Sequence, residues 1–267
     1  MDSRKYSPAA GRMKKIWFLP VLSLAVFMTA VNTFSFEISE MMYGAGLCSI
    51  NPVPVAISSV APPYVIAIDP GHGGMDTGAQ AIVEEYEVID KTAAFLYEML
   101  ARNPDYIPVY TRTDSDPSSR DRARTANARG AALLISLHAN SDSSPSSKGF
   151  ECFPSPPGRT HHAESLRFAQ LITRGMSRAG HTLRGGEEKT GIKYAYYSGK
   201  SKRIVDSTDT KIRSLPSFGI LEKTDCPAVL VEQCFITNQK DTETWATEAG
   251  CRCAAAVYYR AITEFFS

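Results

Sequence analysis

From Tyr64 onward, short continuous apolar runs alternate with segments of helical period, and this alternation restricts the fold more than any other feature. Tyr64–Ile68, Ile107–Thr111, Ala132–Leu137, Gly149–Phe153 and Pro227–Glu232 read as strands. Between and after them, helical patterns cover about Val88–Arg102, Ser118–Arg129, Ala163–Ala179 and Glu248–Phe266. In the first of these, Ile89, Ala93, Leu96, Tyr97 and Leu100 fall on one face. Strands and helices in this order predict an α/β fold: a single layered domain with a mostly parallel, twisted sheet flanked by helices. A chain of 267 residues with 43% hydrophobic content buries one substantial core. Residues 180–215 break the pattern, being polar, dotted with glycine and poorly periodic, and read as an insertion or a cover loop.

The segment before Tyr64 has a different character. Arg12, Lys14 and Lys15 precede an apolar run from Ile16 to Val31, as in a secretory signal. Translation starts at Met1 or, more compactly, at Met13. Residues 1–36 are therefore a signal peptide or an uncleaved membrane anchor, although Pro20, Asn32 and Ser35 weaken a full span. Residues 37–63 read as a linker to a domain over 64–267. Cys48 follows Ala45-Gly-Leu, without the small residue that precedes a lipidated cysteine, which argues against a lipoprotein. The predicted location is outside the cytoplasm, in the periplasm or cell envelope. The other cysteines (Cys152, Cys226, Cys234, Cys251 and Cys253) lack Cys-x-x-Cys spacing, so buried free thiols are expected for most. Net charge is +1 and no window interleaves basic with aromatic residues, so nucleic acid is excluded as a partner.

Candidate chemistry gathers where the strands end. Pro70-Gly71 stops the first strand and delivers His72, with glycines on both sides that let backbone or substrate come close. His138 ends the run Leu133-Leu-Ile-Ser-Leu, and Glu232 ends Val229-Leu-Val. Glu85 precedes the helix that follows the His72 loop, with Glu84 and Glu87 beside it. In open α/β sheets ligands collect beyond the carboxyl ends of strands. Alone, His72 is a turn residue, a ligand or a base. Two histidines and a carboxylate form a common catalytic zinc set, and a second carboxylate nearby supplies a general base. His161 and His162 open a helix and read as solvent-facing. His181 follows Gly180 at a helix C-terminus, where a cation is favoured. None of these three reads as a ligand.

Asp69-Pro-Gly-His-Gly-Gly-Met-Asp-Thr-Gly-Ala79, Glu85, Thr111-Arg-Thr-Asp114, Ile135-Ser-Leu-His-Ala-Asn140 and Pro227-Ala-Val-Leu-Val-Glu232 occur in that order. The chain thereby resembles the zinc-dependent N-acetylmuramoyl-L-alanine amidases of the type-3 amidase family, bacterial enzymes that trim peptidoglycan, over about Tyr64–Phe265. The resemblance implies one zinc ion held by His72, Glu85 and His138, with Glu232 as the catalytic carboxylate. Glu85 aligns better than Glu84 or Glu87. Arg122 and Asn127 match family positions of supporting character. Cys234 stands where the family often has glycine. The expected substrate is peptidoglycan, and the glycines beside His72 would leave room for a bulky glycopeptide. Some members carry a segment that covers the zinc, and residues 180–215 read either as such a cover or as an ordinary surface excursion. No activator protein is legible. Two rival readings are a non-cutting peptidoglycan-binding domain and a zinc peptidase acting on the stem peptide.

Overall fold

A computed structural model describes residues 62–112, 117–185 and 189–267. The leader, almost all of the linker, Cys48, and Thr113 and Asp114 of the third motif lie outside the described residues. A five-stranded sheet has the order β2-β1-β3-β7-β4, with β1 Tyr64–Pro70, β2 Tyr106–Tyr110, β3 Leu133–Asn140, β4 Glu151–Pro154 and β7 Ala228–Phe235. The pairs β1–β2, β1–β3 and β3–β7 are parallel, and β4 alone runs antiparallel, against β7. The predicted, largely parallel α/β sheet is therefore present.

Helices cover both faces. On one face lie α1 (Glu85–Ala101), α3 (His162–Arg178) and the terminal α6 (Glu248–Phe265). They meet Ile66, Ile68, Ile135, Leu137, Val229 and Val231, all essentially inaccessible. Alternation along each strand turns the intervening residues to the opposite face. There Ala67, Leu134, Ala228 and Leu230 pack under α2 (Ser119–Ala128) and α4 (Gly219–Lys223). These two helices are short, ten and five residues respectively, so this face is thinly roofed. Asp69, Ser136, His138, Glu232 and Glu151 belong to the same alternating rows and emerge beyond that roof. A cleft at the carboxyl ends of the strands is the geometric consequence.

Three short elements escape the sequence reading. The stretch 180–215 holds an antiparallel hairpin, β5 (Lys193–Ser198) and β6 (Ser201–Asp206), joined by residues that include Gly199. It also contains the described loops on either side, so it is not a featureless excursion. Helices α4 and α5 (Gln239–Trp245) are too short to show a period. The cysteines behave as expected among the described residues: Cys152, Cys226, Cys234 and Cys251 are buried free thiols and Cys253 is exposed. Cys251 and Cys253 thus point to different sides of α6, as two-residue spacing on a helix requires.

Candidate metal centre and cleft

The first strand ends in an unusual turn. His72 has φ +61, a left-handed conformation that non-glycine residues rarely adopt and that costs on the order of 1–3 kcal/mol. Buried Arg122 of α2 holds it there, donating to the carbonyls of His72 and Pro70, the latter at 2.6 Å. The same guanidinium pairs with Asp69 at 3.2 Å. Asp69 also accepts hydrogen bonds from Thr111 and from Ser136, the latter at 2.6 Å. A buried carboxylate is thus fully engaged, as burial of charge demands. The supporting part expected of Arg122 is structural support of the His72 turn. Asn127 instead ties α2 to the loop before β7, donating to the Lys223 carbonyl and accepting from the Asp225 amide, both at 2.9 Å.

Glycine has a specific function at two positions. A Cβ on Gly71 would lie 2.3 Å from the His138 ring, and one on Gly78 would lie 2.7 Å from the His72 ring. On the Gly71 side, the space next to His72 is therefore filled by the His138 ring. Gly78 also has φ +67, which favours glycine independently.

Of the three neighbouring glutamates, the structure brings Glu85 to the histidines. Glu85 is 4% exposed, whereas Glu87 pairs with Lys91 on the surface and Glu84 is partly exposed. The Glu85 carboxylate lies 3.1 Å from His72 Nε2 and 3.2 Å from His138 Nδ1. It also accepts the amides of Ala139 and Ala79. Burial opposes its ionisation, yet the hydrogen bonds from His138 and His72 outweigh that and hold its carboxyl below the usual range. The reciprocal hydrogen bond with Glu85 pushes His72 up to about 9 against the opposing cost of burial. On its other side His72 Nδ1 meets Asp76 at 2.9 Å. An ionised carboxylate only accepts, so beside these two carboxylates both ring nitrogens of His72 carry protons, Nδ1–H on Asp76 and Nε2–H on Glu85, and loss of the Nε2 proton would free that nitrogen for a metal. Asp76 is a neighbour of His72 in the cleft lining that the sequence reading does not single out, although it stands four residues after His72 in the first motif.

One ligand atom from each of His72, Glu85 and His138 lies within 4.8 Å of the others, a group able to hold a metal ion. Glu232 is directly opposite His138 in the β3–β7 register, and Glu151 is opposite Glu232 across β4–β7. Burial pushes the Glu232 carboxyl up to about 7. His72, His138 and Glu232 line one cleft of about 390 Å³, together with Asp76, Arg122 and Phe218. This arrangement sets a group able to hold a metal ion beside a carboxyl that burial holds above its ordinary range.

The remaining histidines are less exposed than predicted. His162 is partly buried and donates from Nδ1 to the Ser155 carbonyl at 2.8 Å. His161 is likewise only partly exposed. His181 is buried, stacks on Trp245 with ring centres 4.2 Å apart, and hydrogen-bonds the Gln233 carbonyl at 2.8 Å. Desolvation lowers its pKa, so it is not the cation its place after a helix suggested. None of these three joins the His72–Glu85–His138 group.

A family model described as N-acetylmuramoyl-L-alanine amidase matches residues 66–264. The chain is 29% identical over 236 residues to the probable N-acetylmuramoyl-L-alanine amidase AmiB of Haemophilus influenzae, covering 79% of this chain and 54% of that protein. It is 26% identical over 207 residues to the N-acetylmuramoyl-L-alanine amidase CwlM of Bacillus licheniformis, covering 76% and 68%. Against the Haemophilus protein, the chain spans about half the relative's length. Among solved structures it is similar to the catalytic domain of CwlV, an N-acetylmuramoyl-L-alanine amidase from Bacillus (Paenibacillus) polymyxa var. colistinus. That match has a TM-score of 0.59 and 27% identity, covering 76% of this chain and 98% of the other.

Proposed function

The chain belongs to the N-acetylmuramoyl-L-alanine amidase family, and from that premise we propose that it hydrolyses the amide between the lactyl group of N-acetylmuramic acid and the first L-alanine of the peptidoglycan stem peptide. The observation that carries this reading is the meeting of His72, Glu85 and His138 in one donor group whose two histidines line a cleft with Glu232. Two imidazoles and one carboxylate fit zinc: their donor types match hydrolytic zinc sites, and Asp76 holds Nδ1–H of His72, which leaves Nε2 as the nitrogen for coordination. His72, Glu85 and His138 would hold one zinc ion per chain. Bound there, zinc supplies a Lewis acid that polarises a carbonyl and brings the pKa of water to about 7.

The chain's own residues do the rest. Glu232 is the general base and then the general acid: a carboxylate oxygen accepts a proton from water and returns it to the departing alanine nitrogen. A carboxyl held near about 7 suits both halves of that transfer. Arg122, through its bonds to the turn carbonyls, keeps the His72 ring aimed at Glu85. The start of the chain is a secretory leader or anchor that brings the domain to peptidoglycan outside the cytoplasm, with residues 37–63 as linker and 64–267 as the catalytic domain.

Product analysis of digested muropeptides tests this reading. Release of free stem peptide beginning with L-alanine is the expected result. Cleavage only within the stem, with the lactyl–alanine bond intact, would instead identify a peptidase. Binding without any new product would identify a non-cutting peptidoglycan-binding domain.

A further inference from the structure

The β5–β6 hairpin reaches the cleft through Phe218, one of its lining residues. Its root is fixed from below: Lys193 forms an ion pair with buried Glu151, the residue opposite Glu232 in register. Arg184 joins the same carboxylate at 3.3 Å, and Asn140, two residues after His138, donates to it at 2.6 Å. Toward its turn, Tyr197 and Lys202 sit directly opposite each other and so share a face. Both meet Phe218, which lines the cleft with His72, His138 and Glu232. The Tyr197 ring packs edge-on against Phe218 at 5.8 Å. The Lys202 ammonium lies 4.8 Å from the Phe218 ring centre and 5.9 Å from that of Phe153. Among the described residues, Lys202 makes no ion pair, whereas Lys193 and Arg213 on neighbouring segments do. The aromatic faces hold the cation in place without neutralising it. Electrostatics agree with this placement, since Lys202 is among the charges that act on Glu232.

We propose that Lys202, presented by the hairpin against Phe218, is a specificity-determining residue that receives a carboxylate of the stem peptide beside the scissile L-alanine. The inference rests on the amidase reading above. An ammonium that pairs with no carboxylate among the described residues, held against a residue of the cleft lining, favours an anionic group there, and of the two halves of the proposed substrate the peptide is the one that carries carboxylates. A salt bridge to one carboxylate at a partly exposed position changes affinity by about 5- to 10-fold.

The test uses the zinc-loaded protein and two muramyl peptides that differ only at the second peptide residue, one with a free carboxylate and one with the corresponding carboxamide. Wild type should show a lower KM for the free acid. Lys202→Ala should raise that KM by about 5- to 10-fold with kcat nearly unchanged, and should leave the carboxamide substrate unaffected. Lys202→Arg should retain the preference, while Lys200→Ala in the exposed turn should change neither substrate. Equal effects of Lys202→Ala on both substrates, or no discrimination by wild type, would overturn the assignment and leave Lys202 a packing residue. Cleavage of neither substrate by wild type would overturn the amidase reading and the assignment with it.

Discussion

His72 and His181 each adjoin a glycine and each follow a regular element, yet they occupy opposite chemical settings on the two sides of β7. On the cleft side, Glu232 points toward His138, and His72 sits between Glu85 and Asp76. On the other side, the next residue, Gln233, points into the helical layer, where His181 bonds its carbonyl and Thr92 donates to its side chain at 3.0 Å. Carboxylates around His72 favour its charged form, while burial against Trp245 favours the neutral form of His181. The His72 and His138 side chains keep about a fifth of their surface exposed; His181 keeps 4%. Access and neighbours, not residue type, separate a candidate ligand from a packing residue.

Substitution is the strongest way to break that comparison. His72→Ala or His138→Ala should abolish stoichiometric zinc binding and, with it, turnover, as read by elemental analysis of purified protein. His181→Ala should keep its zinc and lose stability instead, by roughly 1–3 kcal/mol for a lost stack and buried hydrogen bond. A His181 variant that lost zinc while remaining folded would collapse the distinction.

Asp76 sharpens it further. It meets His72 on the side turned away from Glu85 and accepts the Gly78 amide at 3.0 Å, a bond an Asn oxygen can also accept, so Asp76→Asn should leave all three donors in place and weaken zinc affinity by about 10- to 100-fold. Competition with a chelator of known affinity measures this. Unchanged affinity would show that Asp76 does not orient the ring.

The smallest effect is a pH dependence on the sealed side. His181 has a folded pKa below its ordinary value near 6.5, so between the two values the unfolded chain binds more protons. Its contribution to stability is full above about pH 6.5 and is lost as pH falls toward the folded value. The stability gap between wild type and His181→Gln should therefore be wider at pH 8 than at pH 5 in urea unfolding. A gap that widened on acidification would mean that His181 is charged in the folded protein.

Much of this architecture was legible because burial on both faces leaves continuous apolar runs, and β1, β3 and β7 are of that kind. The polar residue that ends each run marks His72, His138 and Glu232, whereas Glu85 stands out from Glu84 and Glu87 only through the family resemblance. What was not legible depends on contacts distant in sequence. His181 reads as a helix-end cation until Trp245 closes over it. The role of Gly71 depends on the His138 ring, which reaches it from another strand. The hairpin was missed because its buried tyrosines, Tyr194 and Tyr196, are set among lysines and glycines that read as loop. Arg122 was marked as supporting, but its grip on a left-handed His72 depends on a backbone conformation that no local pattern announces.

The central claim is that ligation and proton transfer reside in different residues of one site: His72, Glu85 and His138 for the metal, Glu232 for the proton. Glu232→Gln measures it most directly, with zinc content and muropeptide turnover determined on the same preparation. The account predicts one zinc per chain, as in wild type, with release of stem peptide reduced about 10²- to 10⁴-fold. Full turnover by this variant, or loss of its zinc, would contradict it.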